Sequence, residues 1–164
     1  MTIRIIVTGG TFDKRYDEIE GTLTFKETHL PEILVQVRAT LPIVVEKNQL
    51  IDSLHMTELD RQHVLTACRA APESQIIVTH GTDTMIETAT VVAAAELEKT
   101  IIFTGAMIPH MVVGSDALFN LGSSVTAVQI LPAGVYIVMN GRIFEWGDVR
   151  KDRSRGVFET LSAA

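Results

Sequence analysis

Residues 75–88 read QIIVTHGTDTMIET, and the fold turns on how this run divides. Ile76, Ile77 and Val78 are a short apolar run of the kind that makes a buried strand, and Gly81 is a turn residue. Beyond it Met85, Ala89, Val92, Ala93 and Leu97 recur at the spacing of one helical face. The segment is a strand, a tight polar turn and a helix. In an open parallel sheet, ligands collect at the carboxyl ends of strands, where helix N-termini present free N–H groups. In this turn Thr82 offers a hydroxyl, Asp83 a carboxylate, and the backbone between them donors for an anion or a developing oxyanion. Thr and Asp are also favoured N-caps, so the pair taken alone is more often an ordinary helix start.

Upstream, Ile3 to Val7 is a β-branched strand followed by Thr8-Gly9-Gly10-Thr11, whose adjacent glycines permit a sharp turn and close approach to a ligand. Phe12 to Glu27 lacks sustained periodicity and reads as a polar loop with a short hairpin near Gly21, of a length that suits a lid. Pro31 starts a helix with a stripe of Ile33, Leu34, Val37 and Leu41, which Pro42 stops. Ile43 to Val45 is the second strand, and Asp52 and Ser53 lie in a loop before a helix capped by Thr57 and running to about Ala71. Downstream come a strand at Thr100 to Thr104 and a loop from Gly105 to Ser115-Asp116. A helix from Asp116 to Gln129 and a strand from Val135 to Met139 follow, and Asn140-Gly141 turns the chain back into Arg142 to Glu145. The alternation predicts an α/β fold, a three-layer sandwich with a mostly parallel, Rossmann-like sheet, formed by residues 1–164 as one domain.

With 164 residues, 46% of them apolar, the chain buries a substantial core. A net charge of −6 argues against nucleic acid as a partner; the cluster Arg150, Lys151, Arg153 and Arg155, interrupted by Asp152, reads mostly as a solvated tail. The N-terminal apolar run is too short for a signal-peptide core and no segment reaches the length of a membrane span, so a cytoplasmic protein without a membrane partner is expected. Cys68 is the single cysteine and reads as a buried thiol. The five histidines form no metal-binding pattern, and the phosphate-cradling glycine motifs of dinucleotide and nucleotide sites are missing. No metal and no cofactor are expected.

Three predicted strand ends carry chemistry: Thr8 and Thr11, then Asp52 and Ser53, then Thr82 and Asp83. Parallel pairing brings them to one edge. A threonine hydroxyl needs a base, an oxyanion site and a cover that excludes water before it acts as a nucleophile. Lys151 is a candidate base, oriented by Asp83, and the acidic, tyrosine-bearing loop after Thr11 is a candidate cover. From the residues alone, this is a small-molecule enzyme using threonine chemistry or a set of ordinary caps and turns.

At these residues a resemblance becomes specific. Thr8-Gly9-Gly10-Thr11 and Thr79-His80-Gly81-Thr82-Asp83-Thr84-Met85 resemble the two signature motifs of the bacterial-type L-asparaginase/glutaminase family, in the family's order. Thr104-Gly105-Ala106-Met107-Ile108-Pro109, followed by Ser115-Asp116 and Phe119-Asn120-Leu121, resembles its GAM-x-P loop. Gly147-Asp148-Val149-Arg150-Lys151 resembles its R-D-V-x-K stretch, with Gly147 where arginine is usual. The resemblance covers nearly all of the chain but only the family's N-terminal domain, and so points to a short-chain, single-domain L-asparaginase with the family's C-terminal domain absent.

The resemblance implies hydrolysis of L-asparagine to L-aspartate and ammonia through a threonine acyl-enzyme, without metal or cofactor. Thr11 is then the nucleophile in a mobile flap, and Thr82, Asp83 and Lys151 the second catalytic group. Tyr16 is the candidate for the flap tyrosine, since Gly21-Thr22-Leu23 stands where the family carries it. Ser53 and Asp83 hold the substrate's α-carboxylate and α-amino groups, the Thr82 N–H is a candidate oxyanion donor, and Gly10, Asp52 and Gly81 complete the substrate-binding set. Asp17, Glu18 and Glu20 are candidates to face the substrate ammonium. A homo-oligomer, dimer or higher, is expected, with a neighbouring α/β domain walling the site. Two other readings stay open: an amino-acid-binding or regulatory domain with little catalysis, and a hydrolase of a related amide such as L-glutamine.

Overall fold

A computed structural model describes residues 1–161. In chain order its elements are β1 (Ile3–Gly9), β2 (Arg15–Asp17), β3 (Thr22–Thr24), α1 (Leu30–Gln36), β4 (Ile43–Ile51), α2 (Glu58–Ala70), β5 (Gln75–Thr79) and α3 (Met85–Ala93). They continue with β6 (Thr100–Thr104), α4 (Ala117–Ala127), β7 (Gly134–Met139), β8 (Arg142–Glu145), β9 (Arg150–Asp152) and β10 (Val157–Glu159). Six strands form one sheet in the order β4-β1-β5-β6-β7-β8, parallel except for β8, which returns antiparallel to β7 as the Asn140-Gly141 turn predicts.

The central strands are apolar without alternation because both faces are covered. Ile6, Ile76, Val78, Ile101 and Phe103 face a core with Val64 and Cys68 of α2 and Met85, Ala89 and Val92 of α3. Ile3, Ile5, Val7, Ile77 and Ile102 face a second core with Leu30 and Ile33 of α1 and Ala117 and Leu121 of α4. This is the expected three-layer α/β sandwich. Cys68 is buried in the first core, and its desolvation pushes the thiol up to about 12.

Register decides where the loops emerge. Val7 pairs with Thr79 and Thr79 with Thr104, so β1, β5 and β6 end level at one edge. β4 reaches the same edge because it is longer than Ile43 to Val45: an edge strand with one side open, it pairs Glu46 and Lys47 with β1 and, after an irregularity in register, Ile51 with Gly9. The first helix is shorter than expected, since Arg38 adopts φ +53 and ends it well before Pro42, leaving Val37 half-exposed. The second helix starts as predicted, with Thr57 and Asp60 forming a reciprocal capping box. The hairpin near Gly21 is β2–β3, and Asp17 closes its turn by accepting from the N–H groups of Ile19 and Glu20. In the basic C-terminal stretch Arg150, Arg153 and Arg155 are exposed, as expected for most of the cluster, but the stretch is folded rather than a tail. It is the β9–β10 hairpin, with Arg150 paired to Glu159 and Lys151 turned inward.

Candidate active site

Four strand-end loops converge, and two glycines make the convergence possible. A Cβ on Gly10, whose φ is +74, would overlap the Gly81 backbone; a Cβ on Gly81 would overlap the Ser53 side chain. The loops after β1, β4 and β5 therefore lie directly against one another. Thr11 and Thr82 each follow one of the touching glycines.

Buried polar groups hold the β5–α3 turn in shape. His80 is fully buried; its N–H donates to the Thr104 carbonyl at 2.8 Å, which joins the turn to the end of β6. Its Nδ1 lies 2.8 Å from the Gly81 carbonyl and its Nε2 2.8 Å from Thr88 Oγ1. A carbonyl only accepts, so Nδ1 carries the hydrogen, and the Thr88 hydroxyl donates to Nε2. Desolvation lowers the His80 pKa to about 4, so the ring stays neutral. Thr84 donates from Oγ1 to the Ser53 carbonyl at 2.8 Å, which ties the turn to the loop after β4. Thr8 is structural: fully buried, it donates to the Thr79 carbonyl at 2.8 Å and ties β1 to β5.

Against this scaffold Lys151 arrives from β9. Its Nζ donates to Thr82 Oγ1 and to Asp83 Oδ1, both at 2.8 Å, across 69 and 68 residues of sequence respectively. Thr82 is 5% exposed and the Lys151 side chain 10%. The arrangement leaves Asp83 Oδ2 uncommitted among the described residues, and Thr82 Oγ1, which accepts from Lys151, keeps its own hydrogen to donate. Sequence reasoning named this trio, and the structure brings all three together.

The flap side is looser. Thr11 opens a short 3-10 turn, Thr11–Asp13, and its hydroxyl makes no hydrogen bond among the described residues. Asp13, which sequence reasoning missed, is fully buried and accepts from Thr28 Oγ1 at 2.8 Å and from the His29 N–H at 3.1 Å, so it clasps the two ends of the β2–β3 arm. Burial pushes its carboxyl above the usual range, and Oδ2 has no partner among the described residues. Lys14 pairs with Asp52, and this hydrogen bond holds the Asp52 carboxyl below the usual range. Asp52 thus tethers the flap and accepts from the Leu54 N–H, whereas Ser53 Oγ has no hydrogen-bond partner among the described residues. Tyr16 sits opposite Leu23 in the hairpin, is 63% exposed, and makes no hydrogen bond to Thr82, Asp83 or Lys151 among the described residues. Asp17 serves its own turn, and Glu18 and Glu20 face solvent. A cleft of about 350 Å³ opens between Lys14, Leu23 and Phe25 of the flap and Ile51, Asp52 and His55.

Among the described residues no group of three His, Cys, Asp or Glu side chains is arranged to hold a metal ion, and no helix is long and apolar enough to cross a membrane.

The sequence model of the family described as Asparaginase, N-terminal, matches residues 2–162. L-asparaginase 1 of Escherichia coli K12 is 28% identical over 167 residues, covering 94% of this chain and 48% of that protein. The Glutaminase-asparaginase of Pseudomonas aeruginosa is 27% identical over 160 residues, covering 90% of this chain and 44% of that one. The thermostable L-asparaginase from Thermococcus kodakarensis superposes with a TM-score of 0.88 at 24% identity, over 98% of this chain and 51% of that one, a likeness of fold. A structure described as Probable Cytoplasmic L-asparaginase from Campylobacter jejuni superposes with a TM-score of 0.81 at 26% identity, over 97% of this chain and 51% of that one. The chain spans about half the length of these relatives.

Proposed function

The chain belongs to the asparaginase family, and from that premise we propose that it hydrolyses the side-chain amide of L-asparagine to L-aspartate and ammonia. The observation that carries this reading is the contact of Lys151 with Thr82 and Asp83, an amine, a hydroxyl and a carboxylate joined at a sheet edge, with Thr82 and Lys151 largely buried and the Asp83 side chain 32% exposed.

Thr11 Oγ attacks the amide carbon; the new C–O bond places a negative charge on the carbonyl oxygen, opposite the Thr82 N–H. Collapse breaks the C–N bond, and ammonia leaves with the proton that Thr11 gave up. The ester left on Thr11 is then attacked by water, which releases aspartate and returns the proton to Thr11. Thr82, bonded to Lys151, orients and polarises the reacting hydroxyl or water, and Asp83 Oδ1 holds the lysine in place. Asp83 Oδ2 takes the substrate ammonium, and Ser53 Oγ, without a hydrogen-bond partner among the described residues, takes the α-carboxylate. Gly10 and Gly81 bring these groups within reach of one small molecule. Tyr16 acts when the flap closes over the substrate.

A homo-oligomer, dimer or larger, completes the reading, because the flap leaves Tyr16, Ile19 and Leu23 exposed in a single chain. Its compartment is the cytoplasm. The experiment is ammonia release from L-asparagine by the purified protein, with L-glutamine in parallel and Thr11→Ala as control. Turnover lost in the variant supports the reading. Stabilisation by asparagine without turnover favours a binding domain instead.

A further inference from the structure

We propose that Asn120 and Asn140 form a positioning relay that sets Lys151 against Thr82; the consequence for turnover rests on the reading of Lys151 given above.

The strand that carries Lys151 stands outside the six-stranded sheet, and its strand partner is β10. A two-stranded hairpin is marginal by itself, so its place is fixed by what it docks on. Val149 and Phe158 are buried in the core beneath α2 and α3. Apolar burial is non-directional, however, and does not by itself stop a hairpin from sliding or tilting. Apart from the bonds of Lys151 itself, a directional tie is made at Phe158, which lies opposite Lys151 in the β9–β10 register. Its N–H donates to Asn140 Oδ1 at 2.9 Å.

Asn140 occupies the turn between β7 and β8 with φ +56, and its own N–H donates to Asn120 Oδ1 at 3.1 Å. Asn120 is fully buried on α4, and its Nδ2 donates to the Gly105 carbonyl and to Asp116 Oδ2, each at 3.0 Å. Asp116 in turn accepts from the N–H groups of Met107 and Ile108. Only one orientation of the Asn120 amide works: flipping it would set its NH₂ against the Asn140 N–H and its oxygen against two acceptors. The relay runs from the loop after β6 through α4 and the β7–β8 turn to β10, and so to the lysine opposite. It also gives a purpose to Asp116 and Asn120, which belong to motif segments without a place in the chemistry above. A long lysine side chain amplifies any tilt of its strand, and Nζ must meet two acceptors at 2.8 Å.

The test separates this placement from catalysis. Asn140→Gly deletes the acceptor while keeping the backbone N–H and suiting φ +56. Asn140→Asp keeps an acceptor oxygen. Asn120→Asp keeps the acceptor for the Asn140 N–H but deletes the Nδ2 donor to the Gly105 carbonyl and Asp116, so it cuts the relay at its upstream end. Each variant is labelled on lysine amines with acetic anhydride, and the rate at every lysine is read by mass spectrometry. Exposed Lys47 serves as the reference and Lys99, held by the Cys68 and Arg69 carbonyls, as the monitor of general loosening.

The expected result is labelling of Lys151 about tenfold faster in Asn140→Gly and Asn120→Asp, with Lys99 unchanged and Asn140→Asp close to the parent protein. In an amide-hydrolysis assay the same two variants lose kcat about 10- to 100-fold with KM little altered. Unchanged Lys151 labelling in a folded Asn140→Gly or Asn120→Asp, or equal acceleration at Lys99, overturns the relay. If the parent protein hydrolyses no amide, the proposed activity fails while the labelling still decides the relay.

Discussion

Two threonines stand at one edge of the sheet, and they are held in opposite ways. Thr82 is nearly buried, bonded to Lys151, and set in a turn whose His80 and Thr84 are tied to β6 and to the loop after β4. Thr11 is partly exposed, has no side-chain hydrogen bond among the described residues, and leads into a hairpin attached through Asp13 and Lys14. The two modes of attachment suit different tasks. Donors that stabilise developing charge work best when they need no reorganisation, which suits the packed turn. A group that must let substrate in and then close over it belongs on an element with few buried contacts.

Breaking the loosely tied side should hit turnover alone. Thr11→Ala is expected to lower kcat by about 10⁴-fold or more while leaving the melting temperature unchanged, because the side chain contributes little packing. A calorimetric scan beside the kinetic assay checks both halves. Breaking the packed side should hit turnover and stability together. Lys151→Met is expected to cost about 10³-fold in kcat and about 1–3 kcal/mol of stability, since Thr82 and Asp83 lose their partner. A Lys151→Met protein with undiminished activity would remove lysine from the proposed chemistry.

Acid should loosen the packed turn. His80 has a folded pKa of about 4 against an ordinary 6.5, so both states are neutral above pH 6.5. As pH falls from 6.5 to 4, the unfolded chain takes up a proton that the folded one refuses. Stability then drops by up to about 3 kcal/mol, with no further loss from this group below pH 4. His29, lowered by burial and by Arg15 and His110, acts with the same sign. Urea unfolding across this range should show a shallower decline in His80→Gln than in the parent. The smallest effect is expected at Tyr16: Tyr16→Phe should reduce kcat about tenfold and shift stability by less than about 0.5 kcal/mol, because the side chain is solvated until the flap closes.

The packed half was largely legible in the sequence and the flap half only in outline. Buried parallel strands read as β-branched runs, and the loops between them are marked by Gly10 and Gly81, whose lack of a Cβ the convergence needs. The Thr57 cap was readable for the same reason: its partner Asp60 is three residues away. The early end of α1 was hidden because Arg38 adopts a left-handed backbone that its residue type does not announce. Lys151 was legible as the partner of Thr82 and Asp83, but the β9–β10 hairpin that turns it inward was hidden within a run of basic residues, since β9 is only three residues long. Asp13, Lys14 and Asn140 act through partners brought close only by the fold, and Asn140 read simply as a turn residue.

The most direct measurement is the mass of the protein quenched in acid during turnover of L-asparagine, followed by peptide mapping. An aspartyl ester is expected on the peptide containing Thr11 and absent in Thr11→Ala. An adduct on Thr82, or turnover without any adduct on Thr11 under conditions that trap esters, would contradict Thr11 as the nucleophile.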